Sequence, residues 1–195
     1  MKDAQVKELI LQSLEHEMGG VKLYEAAVQA AQNEELKGEW TKYLEQTRTH
    51  VRALEEVARV MGLDPQEECP SRKIVGSLGH SMVAAIEQAI KAGNPAAAEL
   101  VACECVVLAE TKDHLDWELL GEVAAKLKGE AQKALKAAYD EIEDQEDEHL
   151  YHTRGWCREL WMQALGFKAV LPPPEERKHV KTAIGAARAE QSRRH

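Results

Sequence analysis

The chain has 195 residues, 44% of them hydrophobic and 30% charged, and 34 acidic against 25 basic side chains leave a net charge of −9. That length suits one domain with a sizeable core, while 4 Trp, 4 Tyr, 1 Phe, 12 Gly and 6 Pro are too few for a turn-rich sandwich or barrel. The acidic balance speaks against a nucleic-acid partner, no apolar run reaches the roughly 18–20 residues of a membrane span, the opening MKDAQVKELILQSLEHE lacks signal-peptide features, and four Cys without a framework fit a reducing compartment. The expectation is an all-α, cytoplasmic protein with neither a nucleic-acid nor a membrane partner.

Four long segments carry helical periodicity. The first runs from about Asp3 to Gln32, stacking Ile10, Leu14, Glu17, Val21, Tyr24 and Val28 on one stripe. Asn33 and Glu34 mark a tight turn before a second helix from about Glu35 to Met61, stopped by Gly62 and Pro65. A third follows Gly93-Asn94-Pro95 and runs to about Leu127, and a fourth runs from Glu130 to Leu165 after the Lys128-Gly129 break. Short turns predict two antiparallel hairpins. The connection between them, 63–95, carries a short helix from His80 to Lys91 and is long enough to cross the length of a bundle.

The hairpins repeat each other. Glu17-x6-Tyr24-Glu25 in the first helix answers Glu110-x6-Trp117-Glu118 in the third, and Glu45-Gln46-Thr47-Arg48-Thr49-His50 in the second answers Asp144-Gln145-Glu146-Asp147-Glu148-His149 in the fourth. Glu146-x-x-His149 places a carboxylate and an imidazole on one helical face. Residues equidistant from a hairpin turn lie at equal height, so Glu17 meets His50, and Glu110 meets Glu146 and His149, each about 25 Å from its loop. Carboxylates shared by two cations, with an imidazole on each, suit a pair of first-row metals, iron or manganese. A Glu on an apolar stripe costs several kcal/mol unless paired or metal-bound.

The pattern resembles the ferritin-like di-iron carboxylate superfamily over residues 3–166. YLEQTRTHVRALEEVARVMG is similar to the second helix of small bacterial stress-associated ferritin-like proteins, and Glu146-Asp147-Glu148-His149 resembles the rubrerythrin and bacterioferritin pattern. The resemblance implies a ferritin-like four-helix bundle and assigns metal ligation to Glu17, His50, Glu110, Glu146 and His149. Thr47 stands where the family has a Glu. A hydroxyl supplies no charge, so the metal position at His149 is expected to fill first and that at His50 to be partial or empty. His114, one turn from Glu110, is a candidate substitute ligand or else an ordinary hydrogen-bonded histidine; Glu45 and Gln46 are less well aimed.

Three functions follow as expectations. The resemblance implies a di-iron or di-manganese oxidoreductase that reacts with O2 or peroxide; a homodimer and an external electron donor of unknown identity are expected beside it. The alternatives are a metal-free helical interaction protein with a degraded site, for which Thr47 is the argument, and iron storage, which would require a hollow shell. His16 is expected at the surface, His152 in solvent or a subunit contact, and Tyr24 and Trp117 in the core, with a redox role as their alternative. Cys103 and Cys105 face different sides of a helix, and no Cys-x-x-Cys pair provides a rubredoxin-type site. Residues 167–195 form a tail of net charge +4 that opens on Pro172-Pro173-Pro174, read as an extended spacer lying on the acidic body or on a neighbouring subunit.

Overall fold

The structure, a computed structural model, describes residues 2–177. They form α1 (Asp3–Ala30), α2 (Glu34–Val60), α3 (Pro70–Lys91), α4 (Pro95–Ala124) and α5 (Gly129–Ala164), then a 3-10 turn at Pro174–Arg177, with no strand among the described residues. Local chemistry sets the boundaries. The Asn33 side chain accepts from the Glu35 and Leu36 amides at the start of α2, and Asn94 caps the Ala97 amide ahead of Pro95 in α4. Gly62 and Gly93 take φ of 71° and 78° just past the ends of α2 and α3, a conformation that costs a side-chain-bearing residue energy.

The connecting helix is longer than its sequence suggests. It begins at Pro70, ten residues before His80, because its glycines do not break it. Gly79 lies where α3 meets α1, and a Cβ there would stand 3.7 Å from the Gly19 Cα. Close backbone approach offsets the low helix propensity of glycine. Arg72, 5% exposed, fastens the start of α3 by donating to Glu15 at 2.8 Å and to the Pro65 carbonyl at 2.5 Å.

Side-chain pairs give the directions. Glu25–Arg48 and Glu17–His50 make α1 and α2 antiparallel, and Glu104–Trp161 and His114–Asp147 do the same for α4 and α5. Glu39–Trp156 and Lys42–Glu148 set α2 against α5, and Tyr24–Glu110 and Glu17–Trp117 set α1 against α4. The four long helices thus close a ring in which every neighbour is antiparallel. α3 lies against α1 and α4, running parallel to α1 through Ser71–Glu8, Arg72–Glu15 and Gly79–Gly19. Glu99 of α4 accepts from the Gln32 and Asn33 amides, both at 2.7 Å, and so ties the α1–α2 turn to the ring.

The apolar core has two parts. Leu23, Tyr24, Trp40, Ile86, Val106 and Trp156 belong to one, and Ile10, Leu14, Leu54, Trp117, Leu120 and Ile142 to the other. Between them lies a belt of buried polar side chains.

Candidate metal centre

The belt contains Glu17, His50, Glu110, Glu146 and His149, all at most 4% exposed. Two donor sets form, Glu17–His50–Glu146 and Glu110–Glu146–His149, with donor atoms within 4.8 Å of one another in each. His50 Nδ1 lies 2.8 Å from Glu146 Oε1 and 3.5 Å from Glu17 Oε1. His149 Nδ1 lies 3.5 Å from the same Glu146 oxygen and 3.6 Å from Glu110 Oε2. The sets therefore share Glu146, and the two rings stand 5.7 Å apart, centroid to centroid.

Groups around the belt aim its donors. The Tyr24 hydroxyl donates to Glu110 Oε1 and the Trp117 indole N–H to Glu17 Oε1, each at 2.8 Å. His50 Nε2 donates to Gln145 at 3.2 Å and His149 Nε2 to Gln46 at 3.1 Å. With Nε2 occupied in this way, each Nδ1 faces the carboxylates, an arrangement that fixes imidazoles on metals elsewhere. The two halves follow one plan: an aromatic two turns past each Glu serves the other hairpin's Glu, and a glutamine four residues before each His serves the other hairpin's His. Tyr24 and Trp117 are thus core residues that also position the site.

Asp113 is the residue that sequence reasoning missed. It is 5% exposed, and burial together with the charges of Glu17, Glu146 and Glu110 drives its carboxyl well above the usual range. The same causes raise Glu146, burial first and then Glu110 and Glu17. Burial would raise Glu110 too, but the nearby His149 imidazole and the Tyr24 hydroxyl outweigh it and hold that carboxyl low. Burial would lower His50, yet Glu17 and Gln145 keep it raised. Asp113 occupies the repeat position of Gly20, one turn after Glu110, and that spacing was its available signal.

Several expectations are corrected. His114 does not join the donors: its Nε2 lies 2.7 Å from Asp147 Oδ1 and its side chain is 24% exposed. Asp113 at i+3, rather than His114 at i+4, turns inward. Thr47 donates to the Tyr43 carbonyl at 2.9 Å, and Glu146 lies beside His50, so the His50 set consists of Glu17, His50 and Glu146. Glu45 is exposed and pairs with Arg48. His16, expected at the surface, is 8% exposed and donates to the Ala109 carbonyl at 3.0 Å, because α3 and α4 cover that side of α1. His152 is 3% exposed, covered by the chain that folds back after α5.

That return segment is no free spacer. The Val170 amide donates to Glu159 at 2.8 Å, and Arg158 donates to both Glu175 oxygens at 2.7 and 3.1 Å. Gly155 leaves room for it, since a Cβ there would meet Glu175 Oε2 at 3.2 Å. Lys178, Lys181, Arg188, Arg193 and Arg194, which carry most of the tail's positive charge, lie outside the described residues.

The donor set fits metal chemistry. Glu17 Oε2, Glu110 Oε2, Asp113 Oδ1, Glu146 Oε2 and His149 Nδ1 are buried without a hydrogen-bond partner, and His50 Nδ1 has only Glu146 Oε1 within 3 Å. An unsatisfied buried polar atom ordinarily costs about 1–3 kcal/mol, and more if charged. Four buried carboxylates repel one another unless protons or cations intervene, and two divalent cations would balance their four charges. A cleft of about 290 Å3, lined by His114, Trp117, Glu118, Tyr139, Glu143, Glu146, Asp147 and Tyr151, leads from solvent to the Glu146 side. No protein-family model matches this chain, and neither does any curated protein or solved structure.

Proposed function

We propose that the chain is a ferritin-like four-helix protein, with α3 as its crossover, whose centre binds two divalent first-row metals and reduces O2 or peroxide with electrons from an external donor. The observation that carries the reading is the convergence on the polar belt of two carboxylate–imidazole donor sets that share Glu146, with five donor atoms buried and unpartnered. Glu17 and His50 would hold one cation, Glu110 and His149 the other, and Glu146 would serve both. Asp113 would add a fourth negative charge that Thr47 does not supply. Iron suits this oxygen-rich, two-imidazole set, and manganese is the alternative.

Iron, when bound, supplies the one-electron chemistry that O2 and peroxide require. The chain's own residues do the rest. Tyr24 holds Glu110 by Oε1, leaving Oε2 towards His149, and Trp117 holds Glu17 by Oε1. Gln46 and Gln145 direct the two Nδ1 atoms inward, and the two apolar clusters keep bulk water from the belt. The cleft beside Glu146 would be the route for a small oxidant. Leu108, Leu115 and Leu119, exposed on one face of α4 at 65%, 51% and 43%, favour a homodimer through that face.

Elemental analysis of purified protein, followed by aerobic addition of Fe(II), tests the proposal. Two metals per chain and a rising oxo-bridged ferric absorbance are expected; bound metal without redox turnover would reject the oxidoreductase reading. The competing reading, a metal-free interaction protein, draws on the Thr47 hydroxyl being committed to its own helix. It requires a protein whose melting temperature ignores Fe(II) and Mn(II). Iron storage would require a shell-sized particle in size-exclusion chromatography.

A further inference from the structure

A second cluster of metal-type ligands lies outside the polar belt. Glu39 of α2, His152 of α5 and Glu176 of the final turn bring three donor atoms within 4.8 Å of one another. His152 Nδ1 stands 3.0 Å from Glu39 Oε1 and 3.4 Å from Glu176 Oε2. The His152 side chain is 4% exposed and the two carboxylate side chains are 13% exposed, so the cluster is shielded but open at one edge. It shares no ligand with the central pair.

Its surroundings are built. The Tyr43 hydroxyl donates to Glu39 Oε1 at 2.6 Å and the Trp156 indole N–H to Glu39 Oε2 at 2.9 Å, fixing that carboxylate from both ends. Arg158, bidentate to Glu175, delivers the neighbouring Glu176 to the cluster. Glu176 Oε1 is buried with no hydrogen-bond partner. Glu148, whose charge also reaches Glu176, is paired with Lys42 at 2.7 Å. Burial and the adjoining Glu39 push the Glu176 carboxyl up, whereas Glu39, despite its burial, is held low by His152, Glu176 and Tyr43.

We propose that Glu39, His152 and Glu176 form a third, mononuclear divalent-cation site that clasps the segment after α5 onto the bundle. Two carboxylate oxygens and one imidazole nitrogen, with water completing the shell, are a set that Zn(II) accepts. Glu176 is the one ligand supplied by the returning segment, so a cation there joins α2, α5 and the 3-10 turn. This site shares no ligand with the central pair; Tyr43 lies between them, its hydroxyl on Glu39 and its ring 4.1 Å from that of His149.

The test is equilibrium dialysis against Zn(II) of the full chain as wild type, Glu146→Ala, Glu176→Ala and the double variant, each checked for helicity. Glu176→Ala is expected to lose one equivalent relative to wild type. Glu146→Ala should retain one equivalent, and the double variant none. Trypsin cleavage after Arg177 should slow with Zn(II) in Glu146→Ala and not in the double variant. Glu39→Gln, which keeps the side-chain shape, should reproduce the loss. Equal Zn(II) content in wild type and Glu176→Ala would overturn the third site. If the central reading alone were wrong, wild type would instead bind a single equivalent that Glu176→Ala removes.

Discussion

Glu146 bears more of the site than any other side chain, because one oxygen faces both histidines at 2.8 and 3.5 Å. Its replacement should therefore cost both central ions. Glu146→Ala is expected to abolish binding at both positions, whereas His149→Ala removes one; metal counting after Mn(II) dialysis distinguishes the two. Thr47→Glu restores an anionic side chain beside a set that already has three donors. It should tighten binding several-fold without adding an ion, since charge interactions are strong in a low-dielectric core. An added equivalent in the mutant would instead mean that the His50 position is empty in the wild type.

At the scale of helices, the close crossing of α1 and α3 decides how the long connection packs. The Gly79 Cβ position is in ordinary contact with Gly19, so one methyl fits and a large side chain does not. Gly79→Ala should be neutral or stabilise by up to about 0.5–1 kcal/mol through helix propensity. Gly79→Leu should destabilise by about 1–3 kcal/mol, because α3 must lift away from α1. Urea melts of the two variants check both signs. Because α3 also covers His16, the leucine variant should make that ring accessible to diethylpyrocarbonate, which the alanine variant should not.

For the whole molecule, the buried belt makes stability depend on pH and on cations together. Glu146, Asp113 and His50 have raised pKa values in the folded state, so the stability they contribute is present at low pH and lost as pH rises through those shifted values. Glu110 is lowered, so its contribution is present above the usual carboxylate range and lost as pH falls. Metal-free protein is therefore expected to be most stable in mild acid, with a melting temperature that falls as pH rises from just above the usual carboxylate range through neutrality. Divalent cations replace the protons, so Mn(II) should raise the melting temperature more at the higher pH. A metal-free melting temperature that rises across that range would contradict this account.

The sequence by itself determined the four long helices, the two tight turns and the depth at which Glu17, His50, Glu110, Glu146 and His149 lie, but not the full length of α3. Those follow from periodicity, capping residues and a fixed rise per residue, all of them local. It also exposed Thr47 as the break in the repeat. What only the tertiary structure decided is rotational and non-local. A helical stripe is wide enough to hold both i+3 and i+4, so the choice of Asp113 over His114 awaited the packing of α4 against its neighbours. The glutamines repeat in sequence, yet each serves the histidine of the other hairpin, a pairing set by how α2 meets α5. The burial of His152 likewise depends on the chain turning back after α5, through Arg158–Glu175 and Glu159–Val170 contacts that no local pattern encodes.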